Sequence, residues 1–258
     1  MSINKMWLLM GLLLLGCQGK TLDLKNNKVN NIVIDKFSFK ELEVKGIKEK
    51  KLWGTFYYLS VVKEQSNGLY LTDKHNKKIG QPISPYNWCQ AAMEGAILIA
   101  SKQGDEKTYN YEDSNSNKNV DCVKILDIKK NKENFRALGH SRFFLSDGKY
   151  GKGVTNYNLV PYRTIAVDDK YIKYGTVIYI PKARGTKVVL PSGKTIIHDG
   201  YFFAGDTGGA IKKHHVDFFY GISAKHIFSF VKSTKKFSFK AYIVKDKKII
   251  NYMKKLHR

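Results

Sequence analysis

The 258-residue chain is short of arginine, cysteine, acid and long apolar runs. No internal stretch reaches about 18 apolar residues, which excludes a polytopic membrane protein. Only five of its 45 basic residues are Arg (Arg136, Arg142, Arg163, Arg184, Arg258). Base-edge reading leans on the planar fork of Arg, so a Lys-dominated surface argues against a nucleic-acid partner. With only 22 acids the formal net charge is +23, which taken alone calls for an anionic partner such as a membrane surface or a cell wall. There is no His-Glu-x-x-His and no Cys-x-x-Cys, and Gly151-Lys152-Gly153 is too short for a phosphate loop. His214 and His215 are adjacent in a strand-like run and should point to opposite faces, which suits one metal poorly. No cofactor and no metal are therefore expected. What is present, 43% hydrophobic and 26% charged residues, excludes a disordered or collagen-like chain and allows a sizeable core.

The N-terminus bears on compartment. Residues 1–16 carry one charge, Lys5, followed by the apolar run Met6 to Leu15, a basic region and a short hydrophobic region too brief to span a bilayer comfortably. The run ends in Leu14-Leu15-Gly16-Cys17, which resembles the lipobox of bacterial lipoproteins. The resemblance implies export, lipidation of Cys17, and loss of Lys5, which takes the +23 to +22. Gln18 after Cys17 is compatible with an outer-membrane anchor facing the periplasm. Setting Cys17 aside leaves Cys89 and Cys122, an even remainder that suggests one disulfide closing a loop of about 33 residues. By chain entropy such a loop contributes about 3–4 kcal/mol. Two free buried thiols are the alternative.

Along the chain the expected divisions are a signal at 1–16 and a polar tether at 17–50, with one alternating stretch from Ile32 to Phe39 able to form an edge strand. Residues 51–149 hold a first strand near Trp53–Leu59 and an insertion. The pattern there predicts a helix over Trp88–Lys102, an exposed polar loop over 104–119, and strand-like alternation from Val120 to Ile128. From 150 to 231 short strands alternate with turn signals: Thr164–Val167, Thr176–Ile180 stopped by Pro181, a hairpin around Pro191-Ser192-Gly193-Lys194, Tyr201–Ala204 and Val216–Phe219. Residues 232–258 hold a last strand (Lys236–Val244, with Phe237, Phe239, Ala241 and Ile243 on one side) and a basic tail. Many short strands with few helices suggest a small closed β-barrel.

The most informative segment is Ala204-Gly205-Asp206-Thr207-Gly208-Gly209-Ala210-Ile211-Lys212, followed by Val216-Asp217-Phe218. Asp206 and Asp217 end or interrupt strand-like runs on either side of a double glycine, which permits a sharp turn and close ligand approach. Asp168 closes Ile165-Ala166-Val167-Asp168, ahead of Gly175-Thr176. These blocks resemble the three-aspartate (3D) domain of bacterial cell-wall proteins and, within it, the murein lytic transglycosylase A type, whose catalytic part is a double-psi β-barrel. The likeness covers about 165–221, with support from Gly54-Thr55-Phe56-Tyr57; Lys213 departs from it, where a Gly often follows the Lys.

The resemblance implies a mainly β double-psi barrel with a mixed helical insertion, acting on peptidoglycan glycan strands. Asp217 matches the catalytic acid/base, and Asp206 and Asp168 match supporting carboxylates. Lys212, Thr207, Gly208, Thr55 and Tyr57 are candidates for substrate contact. One acid suffices for lytic transglycosylation: it protonates the leaving oxygen, then takes the proton of the sugar's own C6 hydroxyl, which closes a 1,6-anhydro ring. The competing expectations are a barrel that binds glycan without cleaving it, and a hydrolase, which needs a second carboxylate about 5–9.5 Å from Asp217. Catalysis further requires Asp217 and Asp206 to face one open groove. A Cys122 nucleophile is disfavoured: Asp121-Cys122-Val123 lacks a following Ser-Gly and lies close to His140.

Overall fold

The computed structural model describes residues 37–258 apart from 116, 118, 119, 130 and 131; Cys17 and Ile32–Ile34 lie outside the described residues. The elements in order are β1 (Glu49–Tyr57), β2 (Ser60–Lys63), β3 (Leu69–Thr72), β4 (Lys78–Ile83), α1 (Pro85–Glu94), β5 (Ala96–Ala100), β6 (Glu106–Ser114), α2 (Cys122–Ile125), α3 (Lys132–Leu138), β7 (Ser141–Leu145), β8 (Thr164–Ala166), β9 (Val177–Tyr179), β10 (Lys187–Val189), β11 (Thr195–Ile197), β12 (Tyr201–Asp206), β13 (His215–Phe219), β14 (Phe239–Ile243) and α4 (Lys247–Leu256). Six strands close into a barrel in the order β1-β13-β8-β12-β9-β14. Two of its pairs, β1/β13 and β12/β8, are parallel, and the fold is the mainly β barrel expected. Leu52, Ile165, Val167, Ile178, Phe202, Ala204, Val216, Phe218 and Ala241 fill it.

Between β1 and β8 the chain builds a second sheet, β2-β5-β6-β7, the β3-β4 pair and α1 to α3. This part has its own core around Trp88, Ile97, Ile99, Tyr109 and Phe143. Cys89 and Cys122 are joined within it by a disulfide, so neither is a free thiol.

Local expectations fail in this part for identifiable reasons. The helix starts at Ser84, whose hydroxyl caps the Asn87 N–H, with Pro85 in the first turn. It stops at Gly95, left-handed at φ +82°, a conformation that favours glycine. Ile97 and Leu98 then lie on β5 rather than on a helix face. The polar 104–119 stretch is largely β6, paired to β5 through Ala96↔Asn110 to Ala100↔Glu106. Tertiary pairing there overrides composition, and Thr108, Tyr109 and Asn110 are buried. In place of the alternating strand at 120–128, Asp121 caps α2 by accepting from the Lys124 N–H. Phe237 sits in a 3-10 turn and is half exposed; the last strand begins at Phe239.

Residues 37–47, expected within the tether, lie against the barrel. Phe37 is buried, and Phe39 packs edge-on against Tyr201 and Tyr252. They are held by a buried ion pair. Arg163 Nη1 and Nη2 donate to Asp199 at 2.5 and 2.9 Å, and the Phe39 N–H donates to Asp199 at 3.1 Å. The guanidinium stands 3.9 Å over the Phe37 ring. Burial alone would raise the Asp199 pKa, but hydrogen bonding and charge from Arg163 hold it below the usual carboxylate value. Removing one partner of such a pair leaves an uncompensated buried charge. Asp199→Ala should therefore lose about 3–5 kcal/mol of stability, read by chemical denaturation, with residues 37–47 becoming protease-sensitive.

Candidate active site

The site is set by strand register. In β1, Leu52 and Gly54 face the barrel interior while Trp53, Thr55 and Tyr57 face outward; in β13, Val216 and Phe218 face inward while His215, Asp217 and Phe219 face outward. The parallel pairing matches Trp53 with His215, Thr55 with Asp217 and Tyr57 with Phe219. Glycine at 54 is required by close approach: a Cβ there would stand 2.7 Å from the Phe218 ring. The three outward pairs make contact. Trp53 and His215 stack at 3.8 Å, and Tyr57 and Phe219 pack at 5.1 Å. The Thr55 hydroxyl donates to Asp217 Oδ1 at 2.6 Å and lies 2.9 Å from His215 Nε2.

Asp206 ends β12. It accepts from the Tyr57 hydroxyl at 2.6 Å and from the Thr207 N–H at 2.8 Å. Tyr57, Asp206 and Thr207 line a cleft of about 270 Å³ between the barrel and the second sheet. Tyr58, Glu94, Tyr111, Tyr150 and Lys152 also line it. Asp217 is not among the lining residues and is only 8% exposed, so of the two aspartates expected to face one open groove only Asp206 lines it. Burial pushes Asp217 up to about 7; the Thr55 hydrogen bond pulls it down, while Glu94 and Asp206 push it further up. Burial likewise raises Asp206 to about 6, against the Tyr57 and Thr207 hydrogen bonds.

Two residues that sequence reasoning passed over belong here. Glu94 is the last residue of α1, where a negative charge opposes the helix dipole. It makes no hydrogen bond or ion pair among the described residues, and burial raises it to about 7. Nothing in the chain near Glu94 marks it, because it meets Asp217 only through tertiary packing. His215 carried a signal: it lies two residues before Asp217 in a strand, hence on the same face. His214, by contrast, is exposed and faces the Lys51 carbonyl at 2.9 Å, so the two imidazoles do part company. Among the described residues no group of three acids, histidines or cysteines is placed to hold a metal.

The other candidates fall outside the cleft lining. Asp168 accepts from the Lys170 N–H at 3.0 Å and the Lys213 N–H at 2.8 Å. The Lys213 bond is the main reason its pKa is lowered, so its support consists of clamping the 206–213 loop. Lys213 takes the left-handed conformation, φ +56°, where the resemblance expects Gly. Lys212 is exposed and acts on Asp168. Gly208 turns the loop close to Ile211.

Residues 163–236 match the sequence model of the 3D domain, and the chain carries that domain. No curated protein matches the chain. Among solved structures, the fold is similar to E. coli MltA with bound chitohexaose (17% identity, 75% of this chain and 71% of that one, TM-score 0.46). It is also similar to a membrane-bound lytic murein transglycosylase from Agrobacterium tumefaciens (14%, 75% and 73%, 0.44). A third likeness is the lytic transglycosylase LtgG of Burkholderia pseudomallei (16%, 76% and 71%, 0.38).

The raised carboxyl pKa values have a consequence for stability. An acid that titrates near 7 when folded and near 4 when unfolded binds more protons in the folded state, so its contribution is lost as pH rises from about 4 to 7. Asp217→Asn should therefore unfold at a higher temperature than the parent at pH 8, with the difference shrinking toward pH 4. Equal melting temperatures at both pH values would mean that Asp217 titrates normally.

Proposed function

We propose that this protein is a peptidoglycan lytic transglycosylase that cleaves the β-1,4 bond between N-acetylmuramic acid and N-acetylglucosamine and leaves a 1,6-anhydro end. The observation that carries the reading is the environment of Asp217. It is a carboxyl raised to about 7 by burial, with the charges of Glu94 and Asp206 adding to the shift, on the outward face of the 3D-domain barrel. A group with that pKa is about half protonated at neutral pH and can both give and take a proton. Asp217 would protonate the leaving oxygen as the glycosidic bond breaks, its electron pair going to that oxygen. The carboxylate would then accept the proton of the C6 hydroxyl as O6 bonds to C1. Asp206, held by Tyr57 and the Thr207 N–H, would keep the Asp217 proton in place by its charge. Tyr58, Tyr111 and Tyr150 offer rings along the cleft on which pyranoses can lie.

Specific observations favour the two other readings. The low exposure of Asp217 fits a barrel that binds glycan without cutting it. Glu94 is a second carboxylate of the kind a hydrolase needs.

One product analysis separates the three. Digestion of purified peptidoglycan should release 1,6-anhydromuropeptides, and Asp217→Asn should reduce that by about 10²-fold or more while the protein stays folded. Reducing-end products would indicate hydrolysis, and retention on the glycan without products would indicate a binding module.

We further propose export and lipid anchoring at Cys17, on the strength of the Leu14-Leu15-Gly16-Cys17 signal. Labelling with a palmitate analogue should be lost in Cys17→Ala, and the protein should then leave the membrane fraction.

A further inference from the structure

Asp217 has two oxygens, and acid/base chemistry at a single carboxyl works best when one of them is reserved for the proton. The contacts on its β1 side show how that is arranged. A Thr hydroxyl has one proton and can donate to one partner only. The Thr55 hydroxyl donates to Asp217 Oδ1 at 2.6 Å, within the 2.5–3.0 Å range of O–H···O bonds, so that proton is committed to Asp217. His215 Nε2 stands 2.9 Å from the same Oγ1. With the hydroxyl proton already used, this contact is a hydrogen bond only if Nε2 carries the hydrogen. The other ring nitrogen, Nδ1, is 3.4 Å from the Ala210 carbonyl, beyond the usual 2.7–3.2 Å. Burial lowers the His215 pKa to about 4, so at neutral pH the ring is uncharged and carries one hydrogen. The ring is 5% exposed and clamped against Trp53, 7° from parallel, which fixes the direction of Nε2.

We propose that His215 is a positioning residue for Asp217, acting through Thr55: a chain of donors, His215 Nε2–H to Thr55 Oγ1–H to Asp217 Oδ1, occupies Oδ1 and reserves Oδ2 for the transferred proton. The catalytic purpose of this chain rests on the transglycosylase reading. In the first half-reaction the proton leaves Oδ2 for the glycosidic oxygen; in the second the C6 hydroxyl proton returns to Oδ2. Thr55 and His215 keep their own hydrogens throughout, and no other reactant is needed. The charged or titratable groups around the chain are Asp206, Glu94, Tyr57 and Tyr220 near Asp217, and Lys235 near His215. None of these groups hydrogen-bonds to the Thr55 hydroxyl among the described residues, so the chain has two ends and no branch.

The test needs no substrate, so its failure is distinct from a failure of the transglycosylase reading. Nitrogen-15 NMR of the protein at pH 7, with His215 assigned by its loss in His215→Phe, should show the Nε2–H tautomer. The Nδ1–H tautomer would overturn the proposal. Carbon-13 titration of Asp217 should then show its pKa rising by about 0.5–1 unit in Thr55→Val, which removes the donor to the ionised form, and in His215→Phe, which removes the donor that directs the Thr55 proton to it. Thr55→Ser should restore the parent value. His215→Phe keeps a ring for Trp53 to stack on, so a purely structural role for His215 predicts no shift in Asp217; that result would also overturn the proposal. Should Thr55→Val fail to fold, the tautomer and the His215→Phe titration still decide the matter.

Discussion

The parallel register between β1 and β13 is the constraint on which the site depends. It places Thr55 opposite Asp217 and puts Trp53–His215 and Tyr57–Phe219 on either side. A slip of one residue in either strand would turn that strand's three side chains to the other face of the sheet. The register is held from the inside, where Gly54 admits the Phe218 ring and Leu52, Val216 and Phe218 are buried. Packing of the barrel interior thus fixes the chemistry on its exterior. The second sheet completes the arrangement by bringing Glu94 and the tyrosines of the cleft against that face.

The electrostatics of the site run against those of the chain. A molecule of net charge +23 gathers three carboxyls around its candidate centre, and none of the three is paired with a lysine or arginine in a salt bridge among the described residues. Lys152 reaches the cleft but is committed to Asp147 at 2.8 Å. The result is three acids raised by burial, with Asp217 pushed further up by Glu94 and Asp206. Such a cluster weakens the fold above pH 4 to 7 and keeps a proton available where the chemistry calls for one. Asp199, buried to a similar degree, shows the opposite outcome: with Arg163 beside it, it is ionised and structural. The difference between the two aspartates lies in the neighbour, not in the burial.

Much of this was legible in the sequence, because the barrel strands carry short-range signals. The runs at Thr164, Val177, Tyr201 and Val216 each became a strand, and the three-aspartate blocks identified the domain. The insertion was harder to read. Its longest strand, β6, is polar, and its identity depends on pairing with β5 across residues that sequence cannot align. The helix expected to run to Lys102 ends at Gly95, and the apolar Ile97 and Leu98 that would continue its face belong to β5. Within the site, Asp206, Asp217, Thr55 and Tyr57 could be named from motif and strand context. Glu94 could not, since it lies more than a hundred residues from Asp217 along the chain and reaches it through the packing of two sheets. Asp168 and Lys212 were named by motif, yet they stabilise and flank the loop rather than line the cleft.

The barrel holds Asp217 as an acid that still carries a proton to give near neutral pH. The most direct measurement is the titration of the Asp217 carboxyl carbon by NMR in the unmodified protein, assigned by comparison with Asp217→Asn. A midpoint near 7 is expected. A midpoint near 4, the ordinary value for an exposed aspartate, would contradict it.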